Sequence, residues 1–285
     1  MTFPNISHKN NQAINSQNDE HIIIPRRFSR IIDVHMLGNM LNLEHYPLIL
    51  TIVGKPGMGK TFQLRNYLKK VGVQVFSISA ADLESDRAGQ PAKLLQQKYV
   101  LASTSIYNKT PAVLLIDDID TTLGEWENHT GTVNHQNILA FLMHIADNPT
   151  YIESVGAVNR VPIFFTGNDF ERLYKPLVRT GRAHRFDWEP TREEKIDIVA
   201  SIFSLDDSRT AESIVDLYPD KELSYFTFVL SQIQTDNLAE IANTVSYSLL
   251  LSNPSYKQQL RDKYKSMENN IDWAKRILDL NDNVE

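Results

Sequence analysis

The sequence lacks cysteine, long apolar runs and an excess of positive charge, and each absence narrows what the protein can be. Because cysteine is absent, disulfide bonds and thiolate metal sites are excluded. No apolar stretch approaches the ~20 residues that a membrane-spanning helix requires. The formal net charge of -6 disfavours nucleic-acid binding through a broad basic surface. The remaining composition, with 42% hydrophobic and 22% charged residues, is typical of a globular protein.

Three regions of different composition divide the chain. Residues 1–21 are rich in Asn, Gln and Ser and show no apolar core of a signal peptide, so we expect a disordered arm there. Residues 22–189 are predicted to form an α/β nucleotide-binding domain. Residues 190–285 carry almost no strand signal, and Thr191 with Glu194 has the pattern of a helix capping box. A small helical domain is therefore expected after the α/β domain.

Short apolar segments alternate with helical stretches in the region 22–189. We predict buried strands at 48–53, 73–79, 112–117 and 161–167, a fifth strand near 184–188, and helices at 60–71, 91–108 and 133–146. An amphipathic helix is predicted before the first strand, from the near-helical spacing of Phe28, Ile31, Ile32, Leu37 and Leu41. Strands that alternate with helices are typical of a parallel sheet covered on both faces. The predicted fold class is α/β.

The first strand runs directly into GKPGMGKT, which matches the P-loop pattern G-x-x-x-x-G-K-[ST]. Glycines let backbone N–H groups turn toward phosphates, Lys60 can reach the β- and γ-phosphates, and the Thr61 hydroxyl can bind magnesium. A strand before the loop and a helix after it are the context that the motif requires. The predicted nucleotide-binding residues are Gly54, Lys55, Pro56, Gly57, Met58, Gly59, Lys60, Thr61 and Phe62.

The segment AVLLIDDID places two carboxylates at the end of the third strand. Asp117 is predicted to bind magnesium together with Thr61. Asp118 is predicted to orient or polarise the attacking water. A solvated acidic strand end is the alternative, but the position of this strand behind a P-loop favours the catalytic interpretation.

Two later segments supply further candidate groups. In IFFTGND, Asn168, with Thr166 as second choice, is predicted to contact the γ-phosphate from a strand between the P-loop strand and the acidic strand; a simple turn is the alternative. In LVRTGRAHRF, Arg179 and Arg182 are predicted to clamp the transferring phosphoryl group from a neighbouring subunit, with surface salt bridges as the alternative.

The P-loop, the acidic pair, the polar strand tip and the paired arginines follow one another in this order and precede a helical domain. That order matches the AAA+ ATPases, which bind ATP and Mg2+.

Longer stretches resemble the Rubisco activase family of AAA+ ATPases. They are SAADLESDRAGQPAKLLQQKY and ADNPT followed by RVPIFFTGNDFERLYKPLVRTGRAHRFDWEPTREEKI, within residues 47–203. Aspartate in place of glutamate at Asp118 also agrees with that family. The resemblance implies an ATP hydrolase that forms a ring, commonly a hexamer, and remodels Rubisco blocked by inhibitory sugar phosphates.

The same resemblance implies two loops that face the pore of the ring and grip the Rubisco large subunit. The first covers residues 82–91 and includes Leu83, Glu84, Arg87 and Gly89, and the second covers residues 123–132. Ordinary surface loops are the alternative. The implied location is the cyanobacterial cytosol, with or without carboxysome association, or the chloroplast stroma after processing. No membrane partner is expected.

Four features depart from the family pattern. The N-terminal region does not resemble the adaptor domain of plant activases, no part of residues 190–285 is expected to form a domain like the Rubisco small subunit, and the second loop is not glycine-rich. The helix that matches the family's sensor-2 arginine reads SYFTFVLSQIQ, with Leu230 and Gln232 at the matching positions. A weak response of the helical domain to nucleotide is the expected consequence.

Two other functions compete with client remodelling. A nucleic-acid-associated AAA+ ATPase of the helicase-loader type is disfavoured by the acidic balance, and a salt-sensitive shift of labelled DNA would support it. A nucleotide-binding scaffold that hydrolyses little ATP fits the absence of the sensor-2 arginine, and a phosphate-release assay distinguishes it. A small-molecule kinase is less consistent with paired arginines followed by a helical domain.

Overall fold

The computed structural model describes residues 22–83, 89–120, 133–171, 173–179, 181–268 and 271–281. The chain divides into two compact units, Ile24–Pro190 and a second unit that includes Thr191–Glu285. The predicted arm at 1–21, the loop residues Glu84 and Arg87, and the second predicted pore loop at 123–132 lie outside the described residues.

The predicted α/β elements of the first unit are all present, with bounds that differ by one or two residues. In chain order the elements are α1 (Arg26–Met40), β1 (Ile49–Val53), α2 (Lys60–Lys70), β2 (Gln74–Ile78), α3 (Ala80–Leu83), α4 (Gln90–Tyr107), β3 (Ala112–Ile116), α5 (Val133–Asp147), β4 (Tyr151–Ile152), β5 (Gly156–Ala157), β6 (Ile163–Gly167), α6 (Lys175–Val178) and β7 (Ala183–Asp187). Strands β4 and β5 form a small antiparallel pair that the sequence did not indicate.

The main sheet has five parallel strands in the order β2-β3-β6-β1-β7. Strand β6 lies between β1 and β3, as predicted for the strand that carries Asn168. Because the carboxyl ends of parallel strands meet at one edge, the P-loop, the acidic pair and the tip of β6 come together there. Strands β1, β3 and β6 are fully buried, which explains their continuous apolar runs.

Helix α1 packs through a stripe that differs in part from the predicted one. Its buried residues are Phe28, Ile32, His35, Met36, Gly38 and Asn39. Leu37 and Leu41, which the predicted stripe included, are 59% and 60% exposed. Leu37 lies on the face opposite Phe28, and Leu41 follows the last helical residue, so neither belongs to the buried stripe.

The second unit is helical, as predicted. Its described helices are α7 (Arg192–Ile202), α8 (Ser208–Leu217), α9 (Leu223–Ala242), α10 (Tyr247–Ser252), α11 (Pro254–Glu268) and α12 (Trp273–Asn281). The capping box at the start of α7 is confirmed, since Glu194 N–H donates to Thr191 Oγ1 at 3.2 Å and Thr191 N–H donates to Glu194 Oε2 at 2.9 Å. Across the described residues, no helix is both long and apolar enough to cross a membrane.

The two positions that match the sensor-2 arginine differ in their surroundings within this unit. Both lie on α9. Leu230 is partly buried against the core of the unit, beside Val229 and Ile233, whereas Gln232 is exposed. A long cation would therefore be accommodated more easily at Gln232 than at Leu230.

Candidate active site

The P-loop is held against the end of β7 by Trp188. The Trp188 backbone N–H donates to Val53 O at 2.6 Å, and the indole Nε1 donates to Met58 O at 2.8 Å. A Cβ added at Gly54 would lie 2.1 Å from the Trp188 carbonyl oxygen, so only glycine fits at this close approach. Trp188 is 1% exposed. This buried indole therefore positions the loop, a role that the sequence did not indicate.

The Lys60 side chain reaches back across the P-loop from the first residue of α2. Lys60 directly follows Gly59, whose φ of 72° is in the left-handed region that favours glycine. Its Nζ donates to Gly54 O at 2.7 Å, to Lys55 O at 3.0 Å and to Asn168 Oδ1 at 2.9 Å. The Lys60 ammonium, only 6% exposed, is thus oriented by the loop and by the tip of β6 together.

Two hydroxyls converge on the carboxylate at the end of β3. Thr61 Oγ1 donates to Asp117 Oδ1 at 2.6 Å, and the fully buried Thr166 hydroxyl donates to the same oxygen. Thr166 Oγ1 also accepts the backbone N–H of Asp118 at 3.3 Å. The hydroxyl of Thr61 and the carboxylate of Asp117 are oxygen donors of the kind that Mg2+ binds together with phosphate oxygens, so these residues fit a magnesium ion.

Asp118 follows in a strained backbone conformation. Its φ of 49° lies in the left-handed region, which non-glycine residues rarely adopt and which is concentrated at functional sites. Burial raises the pKa of Asp118, the negative charges of Asp117 and Asp120 raise it further, and Lys60 opposes the shift. Burial conversely lowers the pKa of Lys60, and the same three carboxylates oppose that change. Lys60 therefore favours the charged form of Asp118, and Asp118 favours that of Lys60, but burial shifts both pKa values in the opposite direction.

Asp120, a third acid of IDDID that sequence reasoning assigned no role, orders the tip of β6. It is buried, and its Oδ2 accepts the backbone N–H groups of Asn168 at 3.0 Å and Asp169 at 3.1 Å. This holds the Asn168 side chain where it accepts from Lys60. Asn168 thus lies in the site next to Lys60. Thr166, the second choice, also lies in the site, where its hydroxyl donates to Asp117.

The two arginines differ sharply in their surroundings. Arg182, with a side chain 12% exposed, donates from Nε and Nη2 to the Asp147 carboxylate at 2.7 and 2.5 Å and from Nη1 to Pro176 O at 2.6 Å. These bonds lower the pKa of Asp147. Arg179 is exposed. The geometry therefore favours Arg179 over Arg182 as a group that reaches beyond its own chain.

The remaining predicted residues lie apart from this cluster. Phe62 is exposed on α2, and Lys55 forms an exposed ion pair with Glu189 at 3.3 Å. Leu83 is 3% exposed and packs in the main core, so its side chain is not available to grip a client, contrary to the prediction. Gly89 has a φ of 76° and donates its N–H to Asn134 Oδ1 at 2.7 Å just before α4 begins.

The parallel sheet, the P-loop and the converging polar groups define the class of protein to which the chain belongs. Residues 50–189 match the family described as "ATPase family associated with various cellular activities (AAA)". The AAA class predicted from the order of motifs is thus confirmed.

Within that class, the chain is similar to ribulose bisphosphate carboxylase/oxygenase activases. It is 41% identical to the activase of Anabaena sp., over 79% of this chain and 57% of the relative. It is 39% identical to activase 1 of Nicotiana tabacum, over 77% and 52%, and 35% identical to the activase of Chlamydomonas reinhardtii, over 96% and 70%. The chain belongs to the Rubisco activase family. It spans little more than half the length of the first two relatives.

Proposed function

We propose that this protein hydrolyses ATP with Mg2+ and uses the energy to remodel Rubisco that is blocked by inhibitory sugar phosphates. The observation that carries the proposal is its membership of the activase family. The convergence of Lys60, Thr61, Asp117 and Asn168 at one sheet edge supports a working ATPase rather than a scaffold. The names of the relatives favour Rubisco over a nucleic acid as client.

The residues of the site divide the chemistry among them. The P-loop backbone and Lys60 bind the β- and γ-phosphates. Asn168 orients Lys60 and contacts the γ-phosphate, and Asp118 orients and polarises the attacking water. Thr61 and Asp117 hold magnesium, which when bound neutralises the charge that develops on the phosphates.

A ring of subunits, most simply a hexamer, completes the site. In a ring formed by one repeated head-to-tail contact, a group on one subunit can reach the nucleotide of the next. Arg179 is exposed and is the better candidate for this role, while Arg182 holds the segment around it through Asp147 and Pro176. In other NTPases such an arginine raises kcat by about a thousandfold or more.

The segment 82–91 faces the pore and contacts the Rubisco large subunit in this proposal. Since Leu83 is buried, the contact is assigned to Glu84, Arg87 and the backbone around Gly89. The cyanobacterial cytosol, a carboxysome or the chloroplast stroma is the proposed location, because the relatives include cyanobacterial and chloroplastic activases.

The decisive experiment is recovery of carboxylation by inhibited Rubisco. Cognate Rubisco is blocked with a sugar phosphate and incubated with the protein, ATP and Mg2+. Recovery that requires hydrolysable ATP is expected. A protein that releases phosphate but does not restore carboxylation would retain the ATPase assignment and lose Rubisco as its client.

A further inference from the structure

Arg65 joins the carboxylate of Asp117 to the edge strand of the sheet. It lies one turn after Thr61 on α2, and its Nη2 is 3.4 Å from Asp117 Oδ2. Its Nη1 donates to Ser77 Oγ at 2.8 Å. Thr61 contacts the other oxygen of the same carboxylate. One guanidinium therefore contacts both the proposed magnesium ligand and a residue near the end of β2.

The chain after Ser77 leads directly into the first predicted pore loop. Ile78 O accepts the backbone N–H of Asp117 at 3.1 Å, which links the ends of β2 and β3. Ser79 then donates from its N–H and its hydroxyl to Asp82 Oδ2, at 2.9 and 2.8 Å, and closes a tight turn. Strand β2 is at the sheet edge and is paired on one side, with β3. Its end is therefore less constrained than the ends of the central strands.

We propose that Arg65 couples the metal side of the nucleotide site to the client loop; this rests on the proposed function. A guanidinium and a divalent cation compete for one carboxylate because both are positive. With a magnesium nucleotide bound, Asp117 would give up its Arg65 contact, and Arg65 would keep its bond to Ser77. Once the site is empty again, the Arg65 contact would be restored. The end of β2 and the turn at 79–82 thus change surroundings with the state of the nucleotide.

Backbone hydrogen–deuterium exchange of the full chain tests this coupling. Exchange over residues 74–90 is compared without nucleotide and with magnesium and a slowly hydrolysed ATP analogue. The parent should show a nucleotide-dependent change there, and Arg65→Ala should reduce that change at least about twofold. Lys70→Ala, which removes an exposed cation from the last turn of the same helix, should leave it unaltered.

Two further measurements separate coupling from damage to the fold. Arg65→Gln keeps a polar side chain but lacks the charge and is too short to replace both guanidinium contacts, so it should also lose the nucleotide response while keeping the parent's thermal stability. Either Arg65 variant should bind the magnesium nucleotide equally well or at most about fivefold more tightly, because a competing but solvent-screened cation is removed.

The outcomes distinguish this inference from the proposed function. If Arg65→Ala and Lys70→Ala retain the same exchange response, or if the parent shows none over residues 74–90, the coupling role is wrong. If the response depends on Arg65 but the parent does not reactivate Rubisco, the client assignment fails and the coupling remains.

Discussion

We expect the charge of Lys60 to contribute more to the candidate nucleotide site than that of Lys55. The ammonium is buried between two P-loop carbonyl oxygens and the Asn168 amide oxygen. Lys55, in the same loop, is exposed and pairs with Glu189 at the surface. The two lysines differ in burial and partners although they are five positions apart.

Lys60→Ala should lower phosphate release by about a hundredfold or more, because a preorganised cation at the transferring phosphoryl group is removed. Lys55→Ala is the matched control and should remain within about threefold of the parent, since exposed ion pairs contribute little. The measurement is steady-state phosphate release by purified, folded protein. Similar rates for the two variants would contradict the assignment of Lys60.

Arg179→Ala and Arg182→Ala should fail in different ways. Arg179→Ala should keep the parent's thermal stability and nucleotide affinity but hydrolyse ATP poorly. Arg182→Ala should be destabilised by about 1 kcal/mol or more, because it leaves Asp147 and the Pro176 carbonyl without their donor. Thermal unfolding and nucleotide titration distinguish the two. Equal loss of stability in both variants would show that the proposed division of roles between Arg179 and Arg182 is wrong.

At the scale of elements, the contact between the end of β7 and the P-loop can be tested by replacing Trp188, whose indole donates to Met58 O. Trp188→Phe should weaken nucleotide binding about fivefold, since a buried hydrogen bond to Met58 O is worth about 1 kcal/mol. Trp273→Phe, in the helical unit, is the control for the same chemical change. Titration with a fluorescent nucleotide gives both dissociation constants. Unchanged nucleotide affinity in Trp188→Phe would show that the indole does not position the P-loop.

The packing of α1 on the sheet predicts an acid-sensitive step in stability. His35 is buried edge-to-face against Phe164, neither ring nitrogen has a hydrogen-bond partner among the described residues, and burial lowers the pKa of His35 to about 3. An unfolded histidine titrates near 6.5, so below that pH the unfolded chain binds a proton that the folded chain excludes. The part of the unfolding free energy that depends on neutral His35 is therefore fully present above about pH 6.5 and is lost as the pH falls toward 3.

His35→Leu should flatten this loss. Between pH 6.5 and 5 the parent should lose about 2 kcal/mol of unfolding free energy through His35, at about 1.4 kcal/mol per pH unit, and the variant should not. Urea unfolding at several pH values measures the difference. His45→Asn, at a position whose side chain is 89% exposed, is the control for losing a histidine. Parallel pH profiles for parent and His35→Leu would contradict the role given to burial.

At the scale of the whole molecule, a shared active site predicts complementation between inactive subunits. Lys60→Ala lacks a working P-loop but keeps Arg179, and Arg179→Ala has the opposite defect. In a mixed ring, some interfaces join an intact P-loop to an intact arginine. ATPase activity of the mixture should therefore exceed the sum of the two separate proteins. A monomeric protein with full activity, or a mixture without gain, would exclude an arginine supplied by a neighbour.

Local patterns in the sequence were sufficient for the fold and for most of the polar groups that lie together at the sheet edge. Each buried strand is a short apolar run, and the P-loop and the acidic pair lie directly at the ends of such runs, so strand position predicted their meeting at one sheet edge. Asn168 followed from the same rule. The capping box at Thr191 was equally predictable, because both of its bonds join residues three positions apart.

Only the tertiary structure decided which of these residues are free to act and which are held. Arg182 is bound by Asp147, 35 positions earlier, and Trp188 donates to Met58, 130 positions earlier. Leu83 follows a strand in a predicted loop, yet it packs in the core. Such contacts join segments that are distant in the chain, and they depend on how whole elements pack. A short sequence pattern does not predict these contacts, because the burial and the hydrogen-bond partners of a side chain depend on how the sheet and its helices assemble.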